Sequence, residues 1–450
     1  MIRGNRLVAV LALVLVGTVL AVPVTSSPAD ARDERGRVEP TVRVATFNAS
    51  LNRPAAGDLR RDLSTPSNAQ ARAVAEIVQR TRPDVLVLQE VDHDPEALRL
   101  FQRNYLERGQ QGADPVRYRY TFTAPVNTGV PTGLDLNGDG RTDGPDDAYG
   151  FGAFPGQYGM AVLSRYPIDE KHVRTFQKLL WKDMPGNRMP QGYYSPEAVD
   201  VLRLSSKSHW DVPVRVGRRS VHLLVSHPTP PVFDGPEDRN GRRNADEIRF
   251  WADYTGPARE ARWIRDDRGR PGGLQRGASF VIAGDLNSDP VDGDSLPGAT
   301  HQLLDLRRVN TSLTPSSDGA VEAARLQGGA NLSHRGDPQF DTADFSEPPG
   351  NIRADYVLPS ADLDIRDARV FWPVQADPLS RLTGTYPFPA SDHRLVWERH
   401  TQRGVGAVSG GAGRRGRRGG RPRARSRRRG RPRGRGCCAR GASGARHCRR

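Results

Sequence analysis

Two polar residues, Asp285 and Asn287, follow an apolar run in the stretch VIAGDLNSDP, which covers residues 281–290. In an extended segment, residues i and i+2 point to the same face, so this pair would present a carboxylate and a carboxamide side by side. Gly, Asp, Asn and Pro are also common turn residues, and the stretch taken alone is more typical of an ordinary turn. A wider pattern is needed to favour a chemical site.

Three further apolar runs also end in a polar group, because Asn48, Glu90 and His227 lie at or just past their ends. A carboxylate beside an apolar core is costly unless it is paired or bound to a metal. Together with Asp285, these run ends predict one shared edge that carries chemistry. The turn interpretation is weakened accordingly.

The stretch ASDHRLVW, residues 390–397, completes a set of candidate functional groups. The set contains carboxylates, carboxamides and imidazoles: Glu90, Asp285, Asp355 and Asp392; Asn48 and Asn287; His227 and His393. Carboxylate oxygens with few nitrogen ligands suit Mg²⁺, Mn²⁺ or Ca²⁺ rather than zinc. Two histidines that titrate near neutral pH suit general acid–base catalysis.

Short runs rich in β-branched and aromatic residues alternate with helical patterns. The predicted strands are 42–48, 84–90, 220–227, 280–287 and 353–358. Apolar residues recur at helical spacing in NAQARAVAEIVQRT (68–81) and NADEIRFWADY (244–254). This alternation favours a layered α/β or α+β domain. Gly- and Pro-rich stretches around 108–157, 228–244 and 310–350 are expected to be loops.

The motifs TFN, LQEV, H-P, GDLN-x-x-P, ADYVL and SDH follow one another in this order. With the segment YGMAVLSRYPI (158–168), this order resembles the endonuclease/exonuclease/phosphatase superfamily over residues 41–399. The resemblance implies an α/β (α+β) fold in which two packed mixed β-sheets form a four-layer αββα sandwich. It also implies metal-assisted hydrolysis of a phosphoester.

The resemblance assigns a catalytic Mg²⁺ or Mn²⁺ to a small group of ligands. Glu90 is similar to the family's principal metal ligand, and Asn48 and Asp392 are expected close to it. Ser50 stands where some family nucleases carry a further acidic ligand. The number of catalytic metals is left open by this difference.

The resemblance also assigns catalytic roles to five residues. Asp285 and Asn287 are similar to the pair that orients the attacking water and holds the phosphate. His393, steered by Asp355, is similar to the histidine that contacts the scissile phosphate and transfers protons. His227 matches a second catalytic histidine of the deoxyribonuclease-like branch.

A separate acidic stretch, DLNGDGRTDGPDD (135–147), has the spacing of a calcium loop. Five residues occupy ligand positions 1, 3, 5, 9 and 12, namely Asp135, Asn137, Asp139, Asp143 and Asp146. Gly140 stands at position 6, where a sharp turn is required. The pattern favours a structural Ca²⁺ site over the alternative of a solvated acidic loop.

The two ends of the chain differ in composition from its centre. Residues 1–31 have the pattern of a secretory signal peptide, with an uncleaved anchor as the alternative, and 32–40 are expected to be a linker. Residues 401–450 contain 18 arginines and no Asp, Glu or Lys, so the net charge of +15 belongs to this tail. We expect the tail to be disordered. The three cysteines also lie there, so the domain at 41–400 has neither disulfides nor a cysteine zinc site.

These observations predict a secreted, monomeric phosphoesterase that cleaves phosphodiesters such as DNA or RNA, without a transmembrane segment in the mature chain. A lipid or inositol-phosphate phosphatase or phospholipase is the alternative enzyme. A non-catalytic nucleic-acid-binding protein is the alternative outside enzymes. The tail is open to three interpretations: a nucleic-acid arm, a surface-retention segment, or translation of out-of-frame GC-rich DNA.

Overall fold

The structure, a computed structural model, describes residues 41–402. The predicted signal peptide (1–31), linker (32–40) and all but the first two residues of the predicted tail (401–450) lie outside the described residues. Within the part of the chain that is described, no helix has the length and hydrophobicity needed to cross a membrane.

The described residues form strands and helices in alternating groups. The strands are β1 (Val42–Leu51), β2 (Val85–Val91), β3 (Tyr120–Phe122), β4 (Met160–Ser164), β5 (Arg174–Thr175), β6 (His209–Val216), β7 (Arg219–Ser226), β8 (Ser279–Asp285), β9 (Ala343–Asp344), β10 (Asn351–Ile352), β11 (Asp355–Pro359), β12 (Leu363–Val370) and β13 (Val396–Gln402). The α-helices are α1 (Asp58–Leu63), α2 (Ala69–Thr81), α3 (Pro95–Phe101), α4 (Pro196–Val201), α5 (Arg239–Thr255), α6 (His301–Leu304) and α7 (Asp318–Gln327).

One mixed sheet has the strand order β12-β13-β1-β2-β4-β3. β1 and β2 are parallel, and the other neighbouring strands are antiparallel. Asn48 of β1 is in register with Gln89 of β2. Asn48 and Glu90, which lie near the C-terminal ends of these two parallel strands, therefore come to the same edge of the sheet.

The second mixed sheet has the strand order β11-β8-β7-β6-β5. β7 and β8 are parallel, so His227, just after β7, and Asp285, the last residue of β8, come to the same edge. β11 runs antiparallel to β8, and this register places Asp355 opposite Asp285.

Apolar side chains pack in three layers of core. Valines from both sheets, including Val87 and Val281, form the layer between the sheets. Helices α1–α3 cover the outer face of the first sheet, where Phe47 is buried. Helices α5 and α6 cover the outer face of the second sheet, where Phe280 is buried. This arrangement confirms the predicted four-layer αββα sandwich.

The helices predicted at 68–81 and 244–254 are present. Asn68 caps α2 by accepting a hydrogen bond from the Ala71 N–H at 2.9 Å, and Arg82 ends it in a left-handed conformation. An asparagine N-cap commonly starts a helix, and a left-handed residue commonly ends one. The second helix, α5, begins at Arg239, five residues before the predicted start.

Several sequence predictions differ from the structure: the strand predicted at 42–48 continues to Leu51, and the stretch 108–157, predicted as a loop, contains β3. The predicted strand 280–287 ends at Asp285, because Asn287 adopts φ 50° and turns the chain. The stretch 310–350, predicted as a loop, contains α7. The buried face of α7 consists only of Gly319, Ala320 and Ala324, which is too small an apolar pattern for sequence periodicity to reveal.

Candidate active site

The carboxylate of Asp285 is the centre of the site. Its Oδ2 accepts a hydrogen bond from Asn48 Nδ2 at 3.0 Å and lies 3.3 Å from His227 Nε2 and 3.6 Å from His393 Nε2. Asp285 is fully buried, and its partners come from both sheets. Burial is the main cause that raises its pKa to about 6. At neutral pH the carboxylate is therefore ionised but can still take up a proton.

Asn287 is held beside Asp285 by a turn rather than by a shared strand face. The Asn287 N–H donates to Asp285 Oδ1 at 2.8 Å, and its Nδ2 donates to the Pro228 carbonyl at 3.1 Å. The prediction that Asp285 and Asn287 share one face of an extended strand was therefore wrong. Nevertheless, the two residues lie together, and the turn that joins them is part of the site.

His393 and Asp355 form a buried hydrogen-bonded pair. His393 Nδ1 lies 2.9 Å from Asp355 Oδ2, which also accepts a hydrogen bond from Thr342 Oγ1 at 2.8 Å. Burial alone would lower the pKa of His393, but the Asp355 and Asp285 carboxylates hold it well above the ordinary value. The two carboxylates therefore favour the charged, imidazolium form of His393.

His227 has the opposite charge preference. Burial, together with the charges on Lys207 and His393, holds the pKa of His227 well below the ordinary value. Its Nδ1 is buried and has no hydrogen-bond partner in the described structure. Two histidines thus face one carboxylate, one charged and one neutral, which is how acid and base roles are separated in enzymes.

Glu90 has a strained backbone at the end of β2, with φ 54°. Its side chain is half-buried in the wall of a cavity and makes no hydrogen bond to any described residue. Burial raises the pKa of Glu90, the charge on His393 lowers it, and Asp392 raises it. Residues held in unfavourable φ/ψ regions concentrate at functional sites, where the surrounding structure stabilises them.

Asp392 lies near Glu90 and is also half-buried. Its Oδ1 accepts hydrogen bonds from Ser50 Oγ at 3.3 Å and from Ser391 Oγ at 3.4 Å. Ser50 has φ 47°, so a second strained residue adjoins the site. The serine at the position of the additional acidic ligand therefore supports Asp392 by a hydrogen bond.

Among the described residues, one group of three carboxylate or imidazole side chains lies close enough to hold a cation: Asp285, Asp355 and His393. These groups are engaged with each other, since His393 bonds to Asp355 and faces Asp285. The predicted ligands Glu90, Asn48 and Asp392 border the same centre from the first sheet and the SDH loop. Their ligand roles stay predictions.

Lys207 is a site residue that the sequence analysis missed. It is buried, and burial lowers its pKa, which Glu247 and Glu90 raise by their charges. With Glu90 it lines a cavity of about 530 Å³. Lys207 is one of only four lysines in an arginine-rich chain, and the other three lie within residues 171–182. That isolation, just before β6, was the available signal.

The predicted calcium ligands do not gather around one point. No three of the acidic residues in this stretch form a group in the described structure that could hold an ion. Asp135 instead accepts hydrogen bonds from the Gly138 and Gly140 N–H groups at 2.6 and 2.9 Å, and Asp143 pairs with Arg141 at 3.0 Å. Asp135 and Asp143 thus find partners within the loop, and a Ca²⁺ site here stays a prediction without an assembled ligand set.

Comparison with solved structures finds similar proteins of low sequence identity. An endonuclease/exonuclease/phosphatase from Beutenbergia cavernae DSM 12333 is 18% identical (TM-score 0.41), covering 81% of this chain and 72% of that chain. Truncated Caenorhabditis elegans TDP2 is 18% identical (TM-score 0.36; 80% and 97%). A Staphylococcus aureus beta toxin mutant with bound magnesium ions is 13% identical (TM-score 0.40; 81% and 100%). No curated protein matches the chain.

The sequence profile of one family matches residues 45–393, which is most of the chain and includes every strand of the site. The matched segment runs from Ala45 within β1 to His393 and therefore contains Asn48, Glu90, His227 and Asp285. Members of this family are hydrolases that act on phosphoester bonds. The chain belongs to the Endonuclease/Exonuclease/phosphatase family.

Proposed function

We propose that this protein is a divalent-metal-dependent phosphodiesterase. The observation that carries the proposal is the buried Asp285 carboxylate, which contacts Asn48 and lies between a charged and a neutral histidine. Such a centre can bind an anionic ester, hold a water molecule and move its proton. We infer phosphodiesters as the substrate class, and the substrate itself is the subject of the next subsection.

The residues at the edge of the first sheet fit a hard divalent cation. Glu90 offers a carboxylate without a hydrogen-bond partner among the described residues, and Asn48 Oδ1 and Asp392 offer oxygen atoms nearby. Hard oxygen ligands of this kind suit Mg²⁺ or Mn²⁺. A bound cation would neutralise charge on the phosphoester and acidify water. It would also relieve the unfavourable burial of the Glu90 charge.

The remaining residues supply orientation and proton transfer. The His393 imidazolium can donate a hydrogen bond from Nε2 to a phosphate oxygen, because Asp355 already occupies Nδ1. Asp285, ionised at neutral pH, can accept the proton of the attacking water. Asn287 and neutral His227 lie beside it and can hold the phosphate or the water by hydrogen bonds.

The proposal is tested with bis(p-nitrophenyl) phosphate as substrate. Glu90→Gln should lower kcat/KM at least ~10²-fold, since loss even of groups that support metal ligands commonly costs ~10–100-fold. The matched control is Glu96→Gln, which changes an exposed glutamate paired with Arg99 and should leave turnover unchanged. Parent turnover should require Mg²⁺ or Mn²⁺ and stop in EDTA. Full activity of Glu90→Gln, or of the parent in EDTA, would contradict the mechanism.

We also propose that the protein is exported, on the basis of the signal-peptide pattern in residues 1–31. Expression of chains with and without this segment in a bacterial host tests the point. The full chain should be recovered outside the cytoplasm, and the chain lacking residues 1–31 should remain inside. Equal distribution of both chains would contradict export.

A further inference from the structure

A cavity of about 530 Å³ adjoins the site on the side of Glu90. We propose that this cavity binds the non-reacting part of the substrate and that this part carries a second phosphate group. The inference rests on the proposed phosphodiesterase function and specifies its substrate class. The volume lies within the range of pockets that enclose small organic ligands, so the bound group is a compact molecule of nucleotide size.

Lys207 is the first reason for a second anion. Its side chain is buried in the cavity wall, yet no described residue forms an ion pair or hydrogen bond with it. Glu247, whose charge acts on Lys207, is already engaged. Its Oε1 accepts from the Ser206 N–H at 2.7 Å, and its Oε2 accepts from the Thr229 N–H at 2.6 Å. A buried ammonium group of this kind is stabilised when an anion binds.

Arg243 is the second cation of the cavity. Its Nε donates to the Leu204 carbonyl at 3.0 Å, and its Nη2 donates to the Tyr149 and Arg203 carbonyls at 2.6 and 2.8 Å. These bonds fix the guanidinium plane without neutralising its charge, because the partners are carbonyls. No carboxylate among the described residues pairs with it. Arg243 and Lys207 both line the cavity, so two cations without an ion-pair partner among the described residues share it.

Other groups in the cavity wall fit the same ligand. Thr229 is buried and its Oγ1 has no hydrogen-bond partner in the described structure. Glu90, a predicted metal-binding residue, also lines the cavity, so a molecule bound in the cavity extends to the predicted metal site. At the rim, Phe151 and Phe233 are 58% and 87% exposed and offer apolar contact. A phosphate near Lys207 and Arg243, joined to a flat or apolar group at the rim, uses all of these features.

Two chromogenic diesters test the proposal: the p-nitrophenyl ester of thymidine 5′-phosphate, with and without a 3′-phosphate. In the parent protein with Mg²⁺, the 3′-phosphorylated ester should have a kcat/KM at least about tenfold higher, because hydrogen bonds to charged groups are strong. Lys207→Met and Arg243→Met should each bring the ratio between the two substrates close to one. Lys207→Met removes no hydrogen bond of the fold, so it keeps the test valid if Arg243→Met fails to fold.

Arg249→Met is the matched control, because Arg249 lies on the same helix and also donates to backbone carbonyls, those of Pro185 and Gly186, away from the cavity. It should preserve the substrate ratio. In EDTA, thymidine 3′,5′-bisphosphate should raise the thermal midpoint of the parent but not that of Lys207→Met.

A ratio near one in the parent, or an unchanged ratio in Lys207→Met, would overturn the second-phosphate site while leaving the phosphodiesterase function intact. Turnover of neither ester with Mg²⁺ would overturn the proposed function and the substrate class together.

Discussion

At the scale of single residues, the surroundings of two histidine side chains in the site shift their pKa values in opposite directions. His227 and His393 both lie within 4 Å of Asp285, and both are buried. They differ in the contacts of the other ring nitrogen. His393 Nδ1 is hydrogen-bonded to Asp355, whereas His227 Nδ1 has no hydrogen-bond partner among the described residues. The additional carboxylate of Asp355 favours the charged ring of His393, whereas burial and the charges on Lys207 and His393 favour the neutral ring of His227. In the proposed function, His393 therefore donates a hydrogen bond to the phosphate, and neutral His227 holds the phosphate or the water.

The first residue-scale prediction concerns pH. The raised pKa of His393 keeps the ring charged above its ordinary range, so activity that needs the imidazolium persists to alkaline pH and falls as pH rises through the raised pKa. Asp355→Asn removes the largest favourable charge, which lowers that pKa. The alkaline limb of the pH profile of kcat/KM should therefore move to lower pH, and kcat should fall ~10²-fold or more at neutral pH.

The control for this prediction is Asp305→Asn, which alters an exposed aspartate 3.4 Å from His301 on the surface helix α6. It should leave both the rate and the alkaline limb unchanged. An unshifted limb in Asp355→Asn would show that Asp355 does not set the protonation of His393.

At the scale of elements, side chains of helix α5 form hydrogen bonds with the loops that line the cavity beside the site. Glu247 on this helix accepts hydrogen bonds from Ser206 and Thr229, which belong to two of the loops that line the cavity. Arg243, one turn earlier, bonds to carbonyls in the loop before β6 and to Tyr149. One helix therefore positions three loops that are distant in sequence, and this link allows short polar segments to form a defined cavity wall.

The element-scale prediction is the loss of stability in Glu247→Ala. The substitution leaves the Ser206 and Thr229 N–H groups buried without an acceptor, and each unsatisfied group costs ~1–3 kcal/mol. We expect the free energy of unfolding, measured by urea denaturation, to fall by about 3 kcal/mol. Glu260→Ala, which removes an exposed partner of Arg259, should change it by less than ~0.5 kcal/mol. Equal effects of the two substitutions would refute the supporting role of α5.

At the scale of the whole molecule, we expect catalysis and the arginine-rich tail to be separable. Every residue of the candidate site lies at or before His393, and β13 ends at Gln402. The 18 arginines of residues 401–450 give the chain its positive charge, whereas residues 32–400 are mildly acidic. The positive charge of the cavity comes from Lys207 and Arg243 rather than from the tail.

Deletion of residues 404–450 should therefore leave hydrolysis of bis(p-nitrophenyl) phosphate unchanged in kcat and KM. The salt dependence of DNA binding is the second measurement. If the tail binds nucleic acid, its loss weakens binding and flattens the dependence on salt, because fewer counterions are released. Loss of turnover on the small substrate would contradict the separation.

The sequence by itself was sufficient for the fold class and for much of the candidate site. Short runs of β-branched and aromatic residues indicate buried strands, and apolar residues at helical spacing indicate a buried helix face, so β1, β2, β7, β8 and α2 were predictable from local residues. The polar residues at the ends of those strands were visible for the same reason, as was the order of the family motifs. These features depend on neighbours within a few positions.

Tertiary structure alone decided how the two sheet edges meet. The Asn48–Asp285 hydrogen bond joins residues 237 positions apart, and no local pattern encodes that approach. The opposite pKa shifts of His227 and His393 depend on burial and on carboxylates from other strands. Lys207 and Arg243 form a cavity only because α5 packs beside the loop before β6. Such features arise from desolvation and long-range packing, which depend on residues far apart in the chain.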